Sequence, residues 1–250
     1  CGYLSFKQDF SQNWDFGNWW YYAFILGTLF ITIFNMMGKS SQSNGIGLTS
    51  IATKMSLLIS IIFTIIYYQE ETTLYKVLGI VFALTSIVLI SFPKKGAKLK
   101  ESSILLIIFF GSGLIEIIIG YCNKAVIAPS LQSVFTATSF LCAGVIGATI
   151  LLIQYISKKR TFEFKNLLAG LILGIPNFYS IYFIFAALKT AELDPSTIFG
   201  IINISVVLLS FAIGLVFFRE KVRLIHIIGV ITAVTAIYFF ADLDFGTVFE

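Results

Sequence analysis

Eight apolar runs of near-membrane length dominate this chain: A (18–37), B (47–68), C (74–92), D (104–122), E (131–156), F (166–188), G (196–218) and H (223–241). A helix needs ~20 such residues to cross ~30 Å of hydrocarbon, and it satisfies its backbone polar groups internally. The runs are continuous, whereas a membrane barrel needs apolar and polar residues to alternate. Only 12% of the residues are charged, about half the ~25% usual in soluble domains. The loops leave no room for a soluble domain. The sequence reads as an all-α polytopic membrane protein with the lipid bilayer as solvent.

Residues 51–87 and 201–237 repeat one another at a constant offset of 150. Ile51, Leu58, Ser60 and Glu70 match Ile201, Leu208, Ser210 and Glu220. Leu74, Gly79, Ala83, Thr85 and Ile87 match Leu224, Gly229, Ala233, Thr235 and Ile237. Loop charge separates the copies. Loops A–B, C–D, E–F and G–H hold Lys39; Lys94, Lys95, Lys98 and Lys100; Lys158, Lys159, Arg160 and Lys165; and Arg219, Lys221 and Arg223. Against these twelve, the opposite side holds four: Lys7, Lys76, Lys124 and Lys189. The positive-inside rule places the first set in the cytoplasm and both ends of the chain outside. Loop B–C then lies outside and its copy inside, so the repeats run in opposite directions, as in inverted-topology transporters.

Carried further, the offset aligns span A with F and leaves D and E without visible counterparts. The expected architecture is an inverted repeat of five-helix units, ten helices when intact and about eight in this chain. Residues 1–96 would be the remnant of the first repeat, with Cys1–Phe6 the tail of an earlier helix. Residues 102–241 would be the second repeat, and 242–250 a short acidic tail.

The second copy reads VFFREKVRLIHIIGVITAVTAIYFF and the first IIYYQEETTLYKVLGIVFALTSIVLI. In each, an aromatic-ended helix runs into a Glu, a short loop and a Gly-bearing final helix. This texture resembles EamA-type members of the drug/metabolite transporter superfamily over residues 17–241. The resemblance implies two inverted five-helix repeats and transport of small organic metabolites or drugs. Span D, GSGLIEIIIGYCNK, is similar to the first helix of small multidrug resistance proteins. There a lone carboxylate exchanges a proton for substrate and a Lys follows eight residues later; Glu116 and Lys124 stand at those positions.

Glu116 is the one acidic residue well inside a span. At ~1.5 Å per residue it lies ~18 Å along the helix from Ile104, near mid-depth. A charge there costs several kcal/mol, so such residues face a cavity or a partner. Proton coupling is the functional reading; a permanently protonated or Lys-paired packing residue is the plain one. Lys54, two turns into span B, either snorkels to the interface or supplies a counter-charge to an anionic substrate or to Glu116. Asn177 follows Pro176 midway along span F, where the helix should bend and free a carbonyl. It is either a substrate contact or the partner in an interhelical hydrogen bond. Asn203, in the outer part of G, and Asn35, near the cytoplasmic end of A, carry the same two readings. Glu70 and Glu220 recur at span ends, where a carboxylate favours the N-terminus of the next helix; both read as structural. Gly79 and Ala83, with Gly229 and Ala233, have the small-xxx-small spacing of close helix packing.

The three cysteines, Cys1, Cys122 and Cys142, offer neither a disulfide framework nor metal-ligand spacing. The single histidine, His226, rules out a multi-His metal site. No cofactor is expected. Neither G-x-S-x-G nor G-x-x-x-x-G-K-[ST] occurs, which argues against an enzyme and against ATP-driven transport. The net charge of +4 sits in loops between spans, so nucleic acid is not an expected partner. Fourteen lysines against three arginines, with abundant Ile and Phe, point to a low-GC bacterium and its cytoplasmic membrane. The expected function is secondary active transport by alternating access. Glu116 would exchange protons, while Lys54, Asn177, Asn203 and Asn35 would touch the solute; a homodimer is compatible with this fold. The alternative is a membrane scaffold or assembly protein that retains the fold without transporting.

Overall fold

A computed structural model describes residues 19–91, 102–157, 164–190, 193–216 and 223–245. Their helices, in chain order, are α1 (Trp19–Ser43), α2 (Ile46–Met55), α3 (Leu57–Tyr68), α4 (Leu74–Ile90) and α5 (Ser102–Tyr121). There follow α6 (Gln132–Ile156), α7 (Phe164–Thr190), α8 (Pro195–Val216) and α9 (Leu224–Phe245). A π turn, Cys122–Val126, extends α5, and a 3-10 turn, Pro129–Leu131, leads into α6. The described residues contain no strand.

Six segments are long and apolar enough to cross a membrane: Trp19–Ser43, Ile46–Tyr68, Ser102–Val126, Gln132–Ile156, Gly170–Lys189 and Pro195–Ile213. Two shorter apolar helices, Leu74–Ile90 and Leu224–Phe240, fall on spans C and H. The helical reading of all eight runs therefore holds. Several residues that carried the sequence argument lie outside the described ones: Cys1–Phe6 and Lys7, Glu220, and the loop cations Lys94, Lys95, Lys98, Lys100, Lys158, Lys159, Arg160, Arg219 and Lys221.

The chain divides into two compact units, Cys1–Phe34 with Ile118–Ala191, and Asn35–Ile117 with Glu192–Glu250. In the first unit α6 packs on α7. Phe135 of α6 meets Trp19 of α1 and Phe185 of α7, edge-on in both cases. Gly27 allows α1 to approach α6 closely, because a Cβ there would stand 2.6 Å from the Ser139 carbonyl oxygen.

In the second unit α4 packs along α9 and α3 along α8, with α8 also touching α4 and α9. Ala83, Ile204, Ala233, Ala236 and Phe240 form its buried core. Small residues set the spacing. A Cβ on Gly79 would lie 3.1 Å from the Phe240 ring, and one on Gly200 of α8 would lie 2.7 Å from the same ring. A Cβ on Gly229 of α9 would lie 2.7 Å from Ile90 and 2.9 Å from Leu89. Between apolar helices in lipid, such tight van der Waals contact replaces the hydrophobic drive available in water.

One span is locally irregular. Ile46–Tyr68 is a single apolar helical segment, and at Ser56 the backbone stays right-handed helical (φ −57°, ψ −21°) while its carbonyl accepts the Ile59 N–H three residues on, at 2.9 Å. Hydroxyls line this stretch and two of them bond back to their own backbone: Thr53 Oγ1 to Thr49 O (2.9 Å) and Ser56 Oγ to Thr53 O (2.5 Å). Such bonds compete for helical carbonyls and bend or break the ladder. Pro176, where the sequence predicts a bend, lies inside one helix, α7. A proline removes one donor, a loss that a membrane helix can absorb.

The start of α2 is anchored by a turn at Gly45, whose φ of 90° is a conformation L side chains avoid. Beside it Ser40 Oγ accepts hydrogen bonds from Thr49 Oγ1 (2.7 Å) and Asn44 Nδ2 (3.3 Å). The end of α3 is a left-handed cap at Gln69 (φ 53°, ψ 41°), with the Glu70 N–H bonded 3.2 Å to the Ile65 carbonyl.

Candidate functional site

The second unit brings three of the expected site residues together. Lys54 is the ninth residue of the span Ile46–Tyr68, Glu116 the fifteenth of Ser102–Val126 and Asn203 the ninth of Pro195–Ile213. Each therefore stands well inside its span. Lys54 Nζ donates to Asn203 Oδ1 at 3.2 Å, and Asn203 Nδ2 donates to Glu116 Oε1 at 3.2 Å. A fourth member closes the network: Ser60 Oγ donates to Glu116 Oε2 at 2.6 Å.

Lys54 and Glu116 do not form a direct ion pair. The Asn203 amide stands between them, and its orientation is fixed. Its Nδ2 also donates to the Phe199 carbonyl one turn back, at 3.1 Å. Both amide hydrogens are thus engaged, which leaves Oδ1 turned to the ammonium. Flipping the amide would set NH₂ against NH₃⁺ and oxygen against carboxylate. Asn203 and Ser60 are buried, whereas Lys54 and Glu116 each keep part of their surface accessible.

Lys54 thus points at a polar partner inside the unit and does not snorkel to an interface. Asn177 and Asn35 are not members of this network. Asn177 belongs to the first unit, where its carbonyl accepts the Ser180 hydroxyl at 2.7 Å. Asn35 lies on an exposed part of α1. Lys124 falls in the π turn that ends the Glu116 span. Ser60 is the residue the sequence reading missed. It was visible only as a repeat match to Ser210 and as part of a stripe, Thr53, Ser56, Ser60 and Thr64, at helical spacing within an apolar run.

A second charged cluster sits at the α3–α4 turn. Lys76 Nζ bonds Glu70 Oε2 and Asp194 Oδ2, each at 2.8 Å, and the Lys76 side chain is only 1% exposed. Ser196 Oγ, at the start of α8, donates to the same Glu70 oxygen at 2.5 Å. The sequence assigned Glu70 to the dipole of the following helix. The structure gives it a buried lysine and a serine instead; Thr73 holds the N-cap of α4 and makes no side-chain cap bond. An explicit cation at bonding distance outweighs the ~0.5 charge of a helix terminus. Glu220, its repeat partner, is among the residues not described. No group of three or more His, Cys, Asp or Glu with metal-binding geometry occurs among the described residues.

The chain is similar to an uncharacterized protein of Haemophilus influenzae, 26% identical over 223 residues that span 88% of this chain and 74% of that one. No family model matches it.

Proposed function

We propose that this protein is a secondary transporter of small organic solutes, working by alternating access with proton exchange at Glu116. The observation that carries this reading is the network Lys54–Asn203–Glu116–Ser60. It sets a carboxylate and an ammonium well inside three membrane-length segments, with a neutral amide between them. Ionisable groups at such depth are costly to keep and typically mark ion or solute pathways.

The packing of α4 on α9 supports an inverted-repeat reading. The contact of Gly79 with Phe240 becomes, at the offset of 150, the contact of Gly229 with Ile90, and both occur. Reciprocal contacts are what a pseudo-two-fold axis between two copies produces. We therefore read the chain as an EamA-type transporter of a bacterial cytoplasmic membrane, with both ends of this chain outside.

The test is proton movement in liposomes containing a pH-sensitive dye, driven by pools of amino acids, sugars, nucleosides and cationic drugs. Wild-type protein should move protons when the right pool is added, and Glu116→Gln should abolish that movement. Equal solute flux in both proteins would remove Glu116 from the mechanism. A Glu116→Gln protein that folds and keeps its cellular phenotype, with no flux from any pool, would favour the scaffold reading.

A further inference from the structure

We infer that Ser60 is a positioning residue for proton exchange at Glu116. Its hydroxyl donates to Glu116 while the carboxylate is charged, and turns to the Leu57 carbonyl when Glu116 takes up a proton on Oε2. This rests on the proton-exchange reading above. It adds the oxygen that carries the proton and the group that responds to it.

A serine hydroxyl has one hydrogen to give and can also accept. Ser60 Oγ has two acceptors within reach, Glu116 Oε2 at 2.6 Å and the Leu57 carbonyl of its own helix at 3.0 Å. It can serve only one of them at a time. A carboxylate can only accept, so with Glu116 charged the hydrogen lies on the 2.6 Å contact, a length typical of a hydroxyl on a charged oxygen.

The two carboxylate oxygens are not equivalent toward a proton. Oε1 faces the Asn203 amide nitrogen at 3.2 Å, which donates and cannot accept. That nitrogen is held by its second bond, to the Phe199 carbonyl, and by Lys54 on the amide oxygen. A proton placed along this contact would meet another donor. A proton on Oε2 meets Ser60 Oγ, which accepts it once its own hydrogen has swung to Leu57. The acid then keeps a hydrogen bond at each oxygen, and Ser60 has a partner in both states. The proton comes from water and returns to water; the hydroxyl only rotates, and no covalent bond of Ser60 breaks.

The surroundings favour such a swap. The charged group that bears on Glu116 is Lys54 of α2, acting across the Asn203 amide; α3 and α8 present Ser60 and Asn203, both uncharged. Ser60 and Leu57 are fully buried, so a hydroxyl hydrogen left without a protein acceptor would be costly there. Protonation on α5 is thereby felt as one added hydrogen bond on the first carbonyl of α3, beside the irregular turn at Ser56.

The test is infrared difference spectroscopy of the full chain in liposomes as pH is lowered, with the leucine carbonyls carrying a heavy carbon isotope. The carboxylic-acid band of Glu116 is identified by its loss in Glu116→Gln. In wild-type protein a leucine carbonyl band should shift to lower frequency with the same pH midpoint as that acid band. The shift should vanish in Leu57→Ile, which removes the label from position 57, and in Ser60→Ala, whose acid band persists. Ser60→Thr, which keeps the hydroxyl, should retain it. A serine that merely packed there would give no carbonyl signal that follows Glu116. Should Ser60→Ala fail to fold, the wild-type and Leu57→Ile spectra still decide. The inference is overturned if the acid band titrates with no leucine shift, or if the shift survives in Leu57→Ile or Ser60→Ala; proton exchange at Glu116 stands in those cases. Absence of any titrating Glu116 band would overturn both.

Discussion

Lys76 shows how differently two carboxylates can matter to one cation. Glu70 is 3% exposed and Asp194 50%, yet both approach the ammonium to 2.8 Å. Removing the lysine strands the buried Glu70 charge beside Ser196 alone, whereas removing Asp194 costs only a partly hydrated pair. Lys76→Met should therefore destabilise the protein by about 3–5 kcal/mol and Asp194→Asn by no more than ~1 kcal/mol, as measured by unfolding of the purified protein. Equal effects of the two would mean that the buried Glu70–Lys76 pair adds nothing beyond the exposed Asp194 contact. Legibility at this scale was uneven. Glu116, Lys54 and Asn203 announce themselves as polar residues in apolar runs. Ser60 does not, because on an unbroken helix it would point ~120° away from Lys54. Nothing in the one-dimensional pattern groups the two. The Glu70–Lys76 pair, six residues apart across a turn, is hidden for a similar reason.

Helix positions were read well and helix continuity poorly. Each of the eight apolar runs became helical, since length and hydropathy alone demand it in lipid. The bend expected at Pro176 has its cause in one visible residue, whereas the irregular turn at Ser56, where hydroxyls compete for backbone carbonyls, has no such mark in the pattern. Packing between elements follows the small residues. Phe240 is flanked by two glycines, Gly79 and Gly200, and a methyl group at Gly200 would lie 2.7 Å from its ring. Gly200→Ala should lower the unfolding temperature, and a second substitution, Phe240→Leu, should recover part of the loss. No recovery would mean that the Phe240 ring is not what the methyl group meets.

For the molecule as a whole, the reciprocal contacts of α4 and α9 make a paired prediction. Cysteines at 79 and 240, and separately at 90 and 229, should each form a crosslink in the membrane with comparable efficiency. Crosslinking of one pair alone would break the proposed two-fold relation. Membrane-impermeant labelling settles orientation: a cysteine replacing Glu71 should react from outside and one replacing Arg223 only from the cytoplasm. The repeat and the loop charges were legible because they are properties of the sequence. The grouping of Lys54, Asn203, Glu116 and Ser60 was not, since it depends on how three spans pack and no pattern of residues spells that out.

The irregular turn at Ser56 has a topological consequence. Lys54 lies on one side of it and Ser60 on the other, and the bonds through Asn203 and Glu116 close a ring that begins and ends on the same span. The backbone at Ser56 and those three bonds are therefore not independent. A change of angle there shifts Lys54 relative to Ser60, and the ring must give at Asn203 or at Glu116.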